Sequence, residues 1–313
     1  MRLSFSFSKI AMAALISTAI SPTKVQASEI VATIKPLHSL VTAVVGNTAT
    51  PYLLVSGNSS PHGFEFKPSQ VRALSRAKIV FFIDEGFETF LEKGFRAIPS
   101  SVAKVAIAES ARVKFLSLRK GGTWEKDKGH DHGHAHGDRA KDLHVWLDPK
   151  NAIKMVKAIV RELAKIYPEN INIYKANAKN LVSNISSVDR RLEASFSNTK
   201  RRPFIVFHDA YQYFEKRFGL NGLGSITLDP HDFPSPKRLR QIKTKLKTTG
   251  AACIFKEPQF SNRLITTVTA GHSIKVVSLD PLGSALKSGS DHYLKLLTSV
   301  HNSFKECFQP SEG

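Results

Sequence analysis

Short apolar runs alternate with longer amphipathic stretches along the first half of the chain. The runs are rich in β-branched and aromatic residues and predict buried strands at residues 29–33, 52–55, 78–83 and 103–107. The stretches between them repeat their apolar residues with the 3.6-residue period of a helix, over residues 37–45, 69–77 and 87–97. This alternation predicts a parallel sheet with helices on its faces.

The same alternation returns in the second half. Strands are predicted at residues 204–207, 224–228, 252–255 and 275–279, and helices at residues 210–218, 236–248, 262–271 and 292–307. No repeat is visible at the level of single residues, so the halves share an architecture only. We therefore predict an α/β chain with two lobes, residues 28–167 and 198–313.

Two helices are predicted between the halves, at residues 149–167 and from Pro168 to about Ser195. The second would span about 40 Å at 1.5 Å per residue, and we interpret residues 168–197 as a rigid strut between the lobes. Its apolar stripe is Ile171, Tyr174, Ala178, Leu181, Ile185, Val188 and Leu192. Two shorter helices, broken near residues 180–184, are the alternative.

The first 27 residues have the pattern of a secretory signal peptide. Arg2 and Lys9 precede an apolar stretch at residues 10–20, and Val25 and Ala27 are small residues suited to cleavage after Ala27. A membrane anchor is the alternative, but a bilayer core needs about 20 apolar residues and this stretch has roughly half that number. We therefore expect an exported protein without a lipid anchor, located in a periplasm.

The chain is strongly basic, with 45 Lys and Arg against 26 Asp and Glu and a formal net charge of +19. The signal holds three of these cations and no acid, so the mature chain carries +16. Its densest basic run, residues 237–247, has the spacing of the solvated face of one helix and no interleaved aromatic residues to stack bases. Nucleic-acid binding is therefore not expected, while attraction to anionic lipid headgroups stays open.

Cys253 and Cys307 are the only cysteines. In an oxidising compartment an isolated pair is more often a disulfide than a metal or redox site. Such a bridge would destabilise the unfolded chain by about 4 kcal/mol on the chain-entropy model.

Residues 121–142 interrupt the alternation with glycines, charges and histidines. His130, His132, His134 and His136 stand at every second position in a segment that has little to bury, so we predict a surface loop that gathers divalent metal weakly.

Four further candidates stand where an α/β fold places ligands. In parallel sheets ligands bind beyond the carboxyl ends of the strands. His208 directly follows one predicted strand, Asp280 follows another, His62 lies in the loop after a third, and His144 closes the histidine-rich segment. Three imidazoles and a carboxylate suit a four-coordinate Zn²⁺.

Four segments of the chain resemble motifs of the metal-binding solute receptors of ABC transporters, and most closely those of the zinc receptors in that family. They are PHGFEFKPS (residues 61–69), DLHVWLDP (142–149), VFHDAYQYF (206–214) and LDPLG (279–283). The resemblance covers essentially the whole mature chain. It implies two Rossmann-like lobes with parallel sheets, joined by a long rigid helix, with the metal in the cleft between them.

The resemblance also implies the site and the function. His62, His144 and His208 match the three histidine ligands, and Asp280 matches a carboxylate position at which either Asp280 or water is the fourth ligand. Manganese receptors of the family resemble one another in having Glu where this chain has His208, so zinc is favoured and manganese is the alternative. The cysteine pair matches a disulfide of Gram-negative zinc receptors. The implied function is capture of Zn²⁺ by a monomer and its delivery to an inner-membrane ABC permease.

Three other functions compete with this interpretation. A zinc hydrolase would also use three histidines and an open coordination position, but the chain has no HExxH motif, and Glu65 and Asp209 are the only obvious bases near the ligands. A Ser-His-Asp hydrolase lacks its GxSxG motif. An adhesin of the same family is less expected, since no lipid anchor is predicted. We therefore expect a receptor and not an enzyme.

Overall fold

The computed structural model describes residues 28–119, 124, 141–197, 202–228, 230 and 233–310. The predicted signal peptide, residues 1–27, lies outside these ranges, as do His130, His132, His134 and His136. None of the helices within the described ranges is both long and apolar enough to cross a membrane.

A parallel sheet of four strands organises the N-terminal half, in the order β2, β1, β3, β4. Ile30 of β1 pairs with Ile79 of β3, and Val31 pairs with Tyr52 of β2. The elements are β1 (Ile30–Ala32), α1 (Lys35–Val45), a 3₁₀ turn (Gly46–Thr48), β2 (Tyr52–Leu53), α2 (Pro68–Arg76), β3 (Ile79–Phe82), α3 (Leu91–Arg96), β4 (Ala103–Ala106) and α4 (Ile107–Ser110).

Helices cover both faces of this sheet, which explains why its central strand is apolar throughout. Val80 and Phe82 of β3 face a cluster that includes Leu74 of α2 and Leu91 of α3. Ile79 and Phe81 face the opposite way, into the main core. Alternate side chains of one strand thus enter two different apolar layers.

A small antiparallel pair follows, formed by β5 (Leu116–Ser117) and β6 (Lys141–Asp142), with Leu116 opposite Asp142. A 3₁₀ turn (Val145–Leu147) leads into α5 (Pro149–Ile166). Asp148 caps α5, because its carboxylate accepts the Lys150 backbone N–H at 2.8 Å. His144 is thereby held between a short strand and a capped helix.

The long helix α6 (Ile171–Ser197) follows a 3₁₀ turn (Pro168–Asn170) and runs without a break through residues 180–184. Its 27 residues span about 40 Å. The predicted stripe is buried at Tyr174, Ala178, Leu181, Ile185, Val188 and Leu192, and half-buried at Ile171. The helix packs against α1 and α5 of the first half and against α10 (His292–Phe308) of the second.

A second parallel sheet organises the C-terminal half, in the order β10, β9, β7, β8. Its elements before α10 are β7 (Phe204–His208), α7 (Gln212–Phe218), β8 (Gly222–Thr227), α8 (Pro236–Thr248), β9 (Cys253–Lys256), α9 (Arg263–Thr269) and β10 (Lys275–Ser278). The predicted α/β fold, with two parallel sheets and a long helix between them, is confirmed.

One apolar cluster runs through both halves. It includes Phe81 of the first sheet, Ile185 of α6, and Phe204 and Phe304 of the second half. The predicted disulfide between Cys253 and Cys307 is confirmed, and it joins β9 to α10 within this cluster.

The basic run lies on α8, but the prediction that it forms a solvated face is wrong for Lys245, which is buried, and for Arg238, which is half-buried. Ile242 and Leu246 point into the second sheet's outer core, while Lys237, Arg240 and Lys247 are exposed.

The prediction of a helix over residues 87–97 is wrong at its start, because α3 begins at Leu91. The Glu88 carboxylate turns back and accepts the backbone N–H groups of Ile83 and Asp84 at 3.0 and 3.1 Å. Residues 85–87 and 89–90 form turns instead of helix, and the Phe87 and Glu88 N–H groups both donate to the Asp84 carbonyl at 2.9 and 3.1 Å. Burial raises the pKa of Glu88 to about 7, against the opposing effect of its hydrogen bonds from Thr33 and the backbone.

Candidate metal centre

Three histidines meet at the edge where the strands of both sheets end. His208 is the last residue of β7, opposite Thr227 of β8. His62 lies in the loop between β2 and α2, and His144 in the connection from β6. One ring nitrogen from each lies within 4.8 Å of those of the other two. The structure thus brings together three of the four residues that the sequence nominated for the principal site.

The spacing of the nitrogens suits a tetrahedral ion. The Nε2 atoms of His144 and His208 are 3.3 Å apart. An ion bound tetrahedrally at about 2.0–2.1 Å from each nitrogen would hold two of them about 3.3 Å apart. The His62 ring lies slightly farther out, with its centroid 5.7 Å from both other rings. The trio therefore offers three corners of a tetrahedron.

Two buried carboxylates fix the orientation of two of these rings. His208 Nδ1 lies 2.6 Å from Glu257 Oε1, and His144 Nδ1 lies 2.9 Å from Asp142 Oδ1. A carboxylate oxygen only accepts, so each neutral ring carries its hydrogen on Nδ1, a tautomer assigned from this partner. Each Nε2 then directs its lone pair toward the cavity, as a metal-binding imidazole does.

Asp280 lies near the trio but is not part of the cluster. Its Oδ1 accepts from Gln259 Nε2 at 2.7 Å and from the Leu282 N–H at 2.9 Å. Its Oδ2 accepts from the N–H and the hydroxyl of Ser284 at 2.6 and 2.7 Å. The carboxylate is thus engaged in holding the loop after β10, and the structure does not turn it toward the three histidines.

Sequence reasoning missed Glu257 and Asp142 as parts of the site. Glu257 directly follows β9, and this position beyond a strand is the same signal that selected His208 and Asp280. Asp142 stands two residues before His144 within the quoted motif. Among the described ion pairs, its partner is His144 and not a Lys or Arg. Both acids could have been nominated from their positions.

The electrostatic environment of the site is negative. Burial raises the pKa of Tyr211 well above its ordinary value, and the nearby carboxylates Glu257 and Asp280 add to the shift. The Tyr211 hydroxyl is accordingly a donor, and it donates to the Leu279 carbonyl at 3.1 Å. A cation in the cavity would offset this negative charge.

The cavity enclosed by the three rings is small, about 10 Å³, which is room for a single water-sized guest. Its other walls are mainly apolar and include Phe87, Trp146, Phe260 and Leu282. The Phe260 ring is stacked on Phe207. The site therefore has room for an ion.

An ion-pair network ties the two halves together beside His208. Arg119, which follows β5, donates from Nε to both oxygens of Asp209 at 3.0 Å and from Nη1 to Glu215 at 2.6 Å. The guanidinium also lies over the Trp124 ring, 3.3 Å from its centroid. Burial raises the pKa of Glu215, while Arg119 acts against this rise. Asp209, which the sequence offered as a base, is thus paired with Arg119.

A second set of contacts between the halves supports the walls of the site. Trp146 Nε1 donates to the Pro281 carbonyl at 2.8 Å, and the Tyr293 hydroxyl donates to the Trp146 carbonyl at 2.7 Å. The Tyr213 hydroxyl donates to the Asp142 carbonyl at 2.8 Å. The rings and carboxylates of the site therefore rest on a framework contributed by both sheets.

Comparison with known proteins places this geometry in context. The family model described as "Zinc-uptake complex component A periplasmic" matches residues 30–307. The High-affinity zinc uptake system protein ZnuA of Brucella abortus (strain 2308) is 37% identical over 306 residues, covering 89% of this chain and 91% of the relative. The protein of the same name from Yersinia pestis is 29% identical over 299 residues, covering 92% and 94%.

Solved structures share the fold. A zinc-bound 138-173 deletion mutant of ZnuA superimposes with a TM-score of 0.75 at 25% identity, covering 91% of this chain and 100% of that one. FpvC from Pseudomonas aeruginosa in complex with Mn²⁺ superimposes with a TM-score of 0.74 at 21% identity, covering 90% and 99%.

Proposed function

Because this chain belongs to the family of the periplasmic component A of zinc-uptake complexes, we propose that it is the solute receptor that captures Zn²⁺ and delivers it to an ABC permease for import. The zinc ion is its cargo, held between the two halves and released unchanged. The resemblance found in the four sequence motifs is confirmed by the family match over residues 30–307.

The observation that carries the proposal is the pair of facing nitrogens. Two neutral imidazoles whose Nε2 lone pairs lie 3.3 Å apart repel one another unless a positive charge lies between them. With His62, they form a nitrogen-rich set that suits a borderline-soft ion such as Zn²⁺. A manganese receptor is the alternative, and it is less well supported because Mn²⁺ prefers a site with more oxygen ligands.

We propose His62, His144 and His208 as the ligands, with the fourth position open to water or to Asp280. Coordination by Asp280 would require its carboxylate to give up at least one of the hydrogen bonds that hold the loop after β10, so water is the better-supported fourth ligand. The small cavity among the three rings favours a bound ion as the cargo over a zinc hydrolase.

The remaining parts of the proposal concern the cell. We propose export by the signal at residues 1–27, operation in the periplasm as a monomer, and docking to an inner-membrane permease. His130, His132, His134 and His136 would gather zinc at lower affinity near the principal site.

The test is the zinc content of purified protein after dialysis against a weak chelator. Wild-type protein should retain one tightly bound Zn²⁺, and His208→Ala should lose it because two imidazoles remain. His272→Ala is the matched control, since His272 lies after α9, outside the cluster. Retention of tightly bound zinc by His208→Ala would refute the site, and a wild-type preference for Mn²⁺ in competition would refute zinc as the cargo.

A further inference from the structure

We propose that Glu257, and not Asp280, is the carboxylate that sets the metal affinity of this site, by holding the His208 imidazole with its Nε2 directed into the cavity. Glu257 is a positioning residue in this role, acting through His208. The inference rests on the proposed function, because it concerns how that site holds its ion.

The backbone places Glu257 beside His208. β7 and β9 are adjacent parallel strands, paired through Phe204 with Cys253 and Ile205 with Ile254. His208 ends β7 and Glu257 directly follows β9, so their side chains leave the sheet at the same edge. The separation of 2.6 Å between His208 Nδ1 and Glu257 Oε1 is that of a strong, charge-assisted hydrogen bond.

Burial makes this hydrogen bond a fixed feature of the site. The side chains of His208 and Glu257 are 3% and 1% exposed, so little water is available to replace either partner. Rotation of the His208 ring would leave both a ring N–H and a carboxylate oxygen unsatisfied in the interior, which is unfavourable and most so for a charged group. The ring is therefore held in the orientation that binds a metal before the ion arrives.

The second oxygen of Glu257 points to the same role. Glu257 Oε2 is buried and accepts no hydrogen bond of standard geometry from the described residues, although the nearby Tyr211 hydroxyl interacts with this carboxylate. Glu257 also lines the cavity with the three histidines. An unsatisfied carboxylate oxygen in a native interior needs an explanation. A divalent ion among the imidazoles supplies one, because its charge stabilises the nearby carboxylate without direct coordination.

Asp280 differs from Glu257 in each of these respects. Both of its oxygens already accept two hydrogen bonds from residues of its own neighbourhood, Gln259, Leu282 and Ser284. None of these four hydrogen bonds of Asp280 is to a ring of the histidine trio. Removing its charge should therefore loosen the loop after β10 more than it weakens the metal site.

The experiment compares Glu257→Gln with Asp280→Asn, each of which replaces a carboxylate by an amide of the same shape. Zinc affinity is measured by competition with a chromophoric chelator, using the full mature chain. Loss of a carboxylate bonded to a ligating histidine typically weakens metal binding 10–100-fold. We expect a loss of about that size for Glu257→Gln and a clearly smaller loss for Asp280→Asn.

A second readout requires no metal. Nitrogen-15 NMR of the metal-free wild type should show the His208 ring with its hydrogen on Nδ1, and Glu257→Gln should shift the ring toward the other tautomer because a glutamine amide can also donate. A wild-type ring protonated on Nε2, or an Asp280→Asn loss as large as that of Glu257→Gln, would overturn the inference. Equal affinities of wild type and Glu257→Gln would refute this inference alone, whereas a wild type that holds no zinc would refute the proposed function.

Discussion

The buried His292 at the start of α10 should make the protein lose stability on mild acidification. His292 is 1% exposed, and its Nε2 donates to the Leu282 carbonyl at 2.9 Å. Burial, reinforced by the nearby cations Lys35 and Lys295 and by His38, lowers the pKa of His292 to about 4, against the opposing effect of Asp280.

The direction of the stability change follows from the difference between the His292 pKa in the folded chain and that in the unfolded chain. The unfolded chain binds a proton at His292 below about pH 6.5, whereas the folded chain resists protonation down to about pH 4. The contribution to stability is therefore fully present above pH 6.5 and is lost as pH falls from 6.5 to 4. A shift of this size corresponds to about 3 kcal/mol, which partial screening by solvent reduces to about 2 kcal/mol.

The assay is urea denaturation of metal-free protein at pH 7 and at pH 4.5, for wild type and for His292→Gln. Glutamine can donate to the same carbonyl and does not titrate, so the variant should lose less stability between the two pH values, by about 2 kcal/mol. Other groups also titrate in this range, and the comparison of the two proteins cancels their effects. Parallel losses in both proteins would show that His292 carries no linked proton.

Two further predictions concern the contacts that hold the halves together. Arg119→Met leaves Asp209 and Glu215 buried without their cation and should lower the free energy of unfolding, measured in urea, by about 3–5 kcal/mol. The exposed control Lys157→Met should lower it by less than about 0.5 kcal/mol. Equal, small losses in both variants would contradict the stabilising role of the network. Replacing both Cys253 and Cys307 by Ala should lower the free energy of unfolding by about 4 kcal/mol, and reduction of the wild-type disulfide should lower it by a similar amount. A loss below about 1 kcal/mol would contradict the stabilising role of the bridge.

The fold was largely readable from the sequence because its signals are local. Helix α8 begins and ends as predicted, at Pro236 and Thr248. The Ser235 hydroxyl oxygen accepts a hydrogen bond from the Arg238 N–H and so caps the helix, and Pro236 fits its first turn. The start of α3 was not predictable in the same way. It depends on the side chain of Glu88 reaching back to the backbone, a choice that periodicity does not record.

The sequence predicted the three histidine ligands of the site but not the carboxylates that orient them. His62, His144 and His208 stand in recognisable positions after strands or beside the histidine-rich segment. The hydrogen bond between His208 and Glu257 joins residues 49 apart in sequence, and it depends on which strands are neighbours. Strand order is a property of the assembled sheet, so the sequence pattern predicted the imidazoles without predicting what orients them.

The apolar cluster that crosses both halves determines how this protein unfolds. Because α6 buries its stripe against helices from either side, neither half has a complete interior of its own. Heating should therefore produce one calorimetric transition instead of two. Either half expressed by itself would expose a long apolar surface and would tend to aggregate.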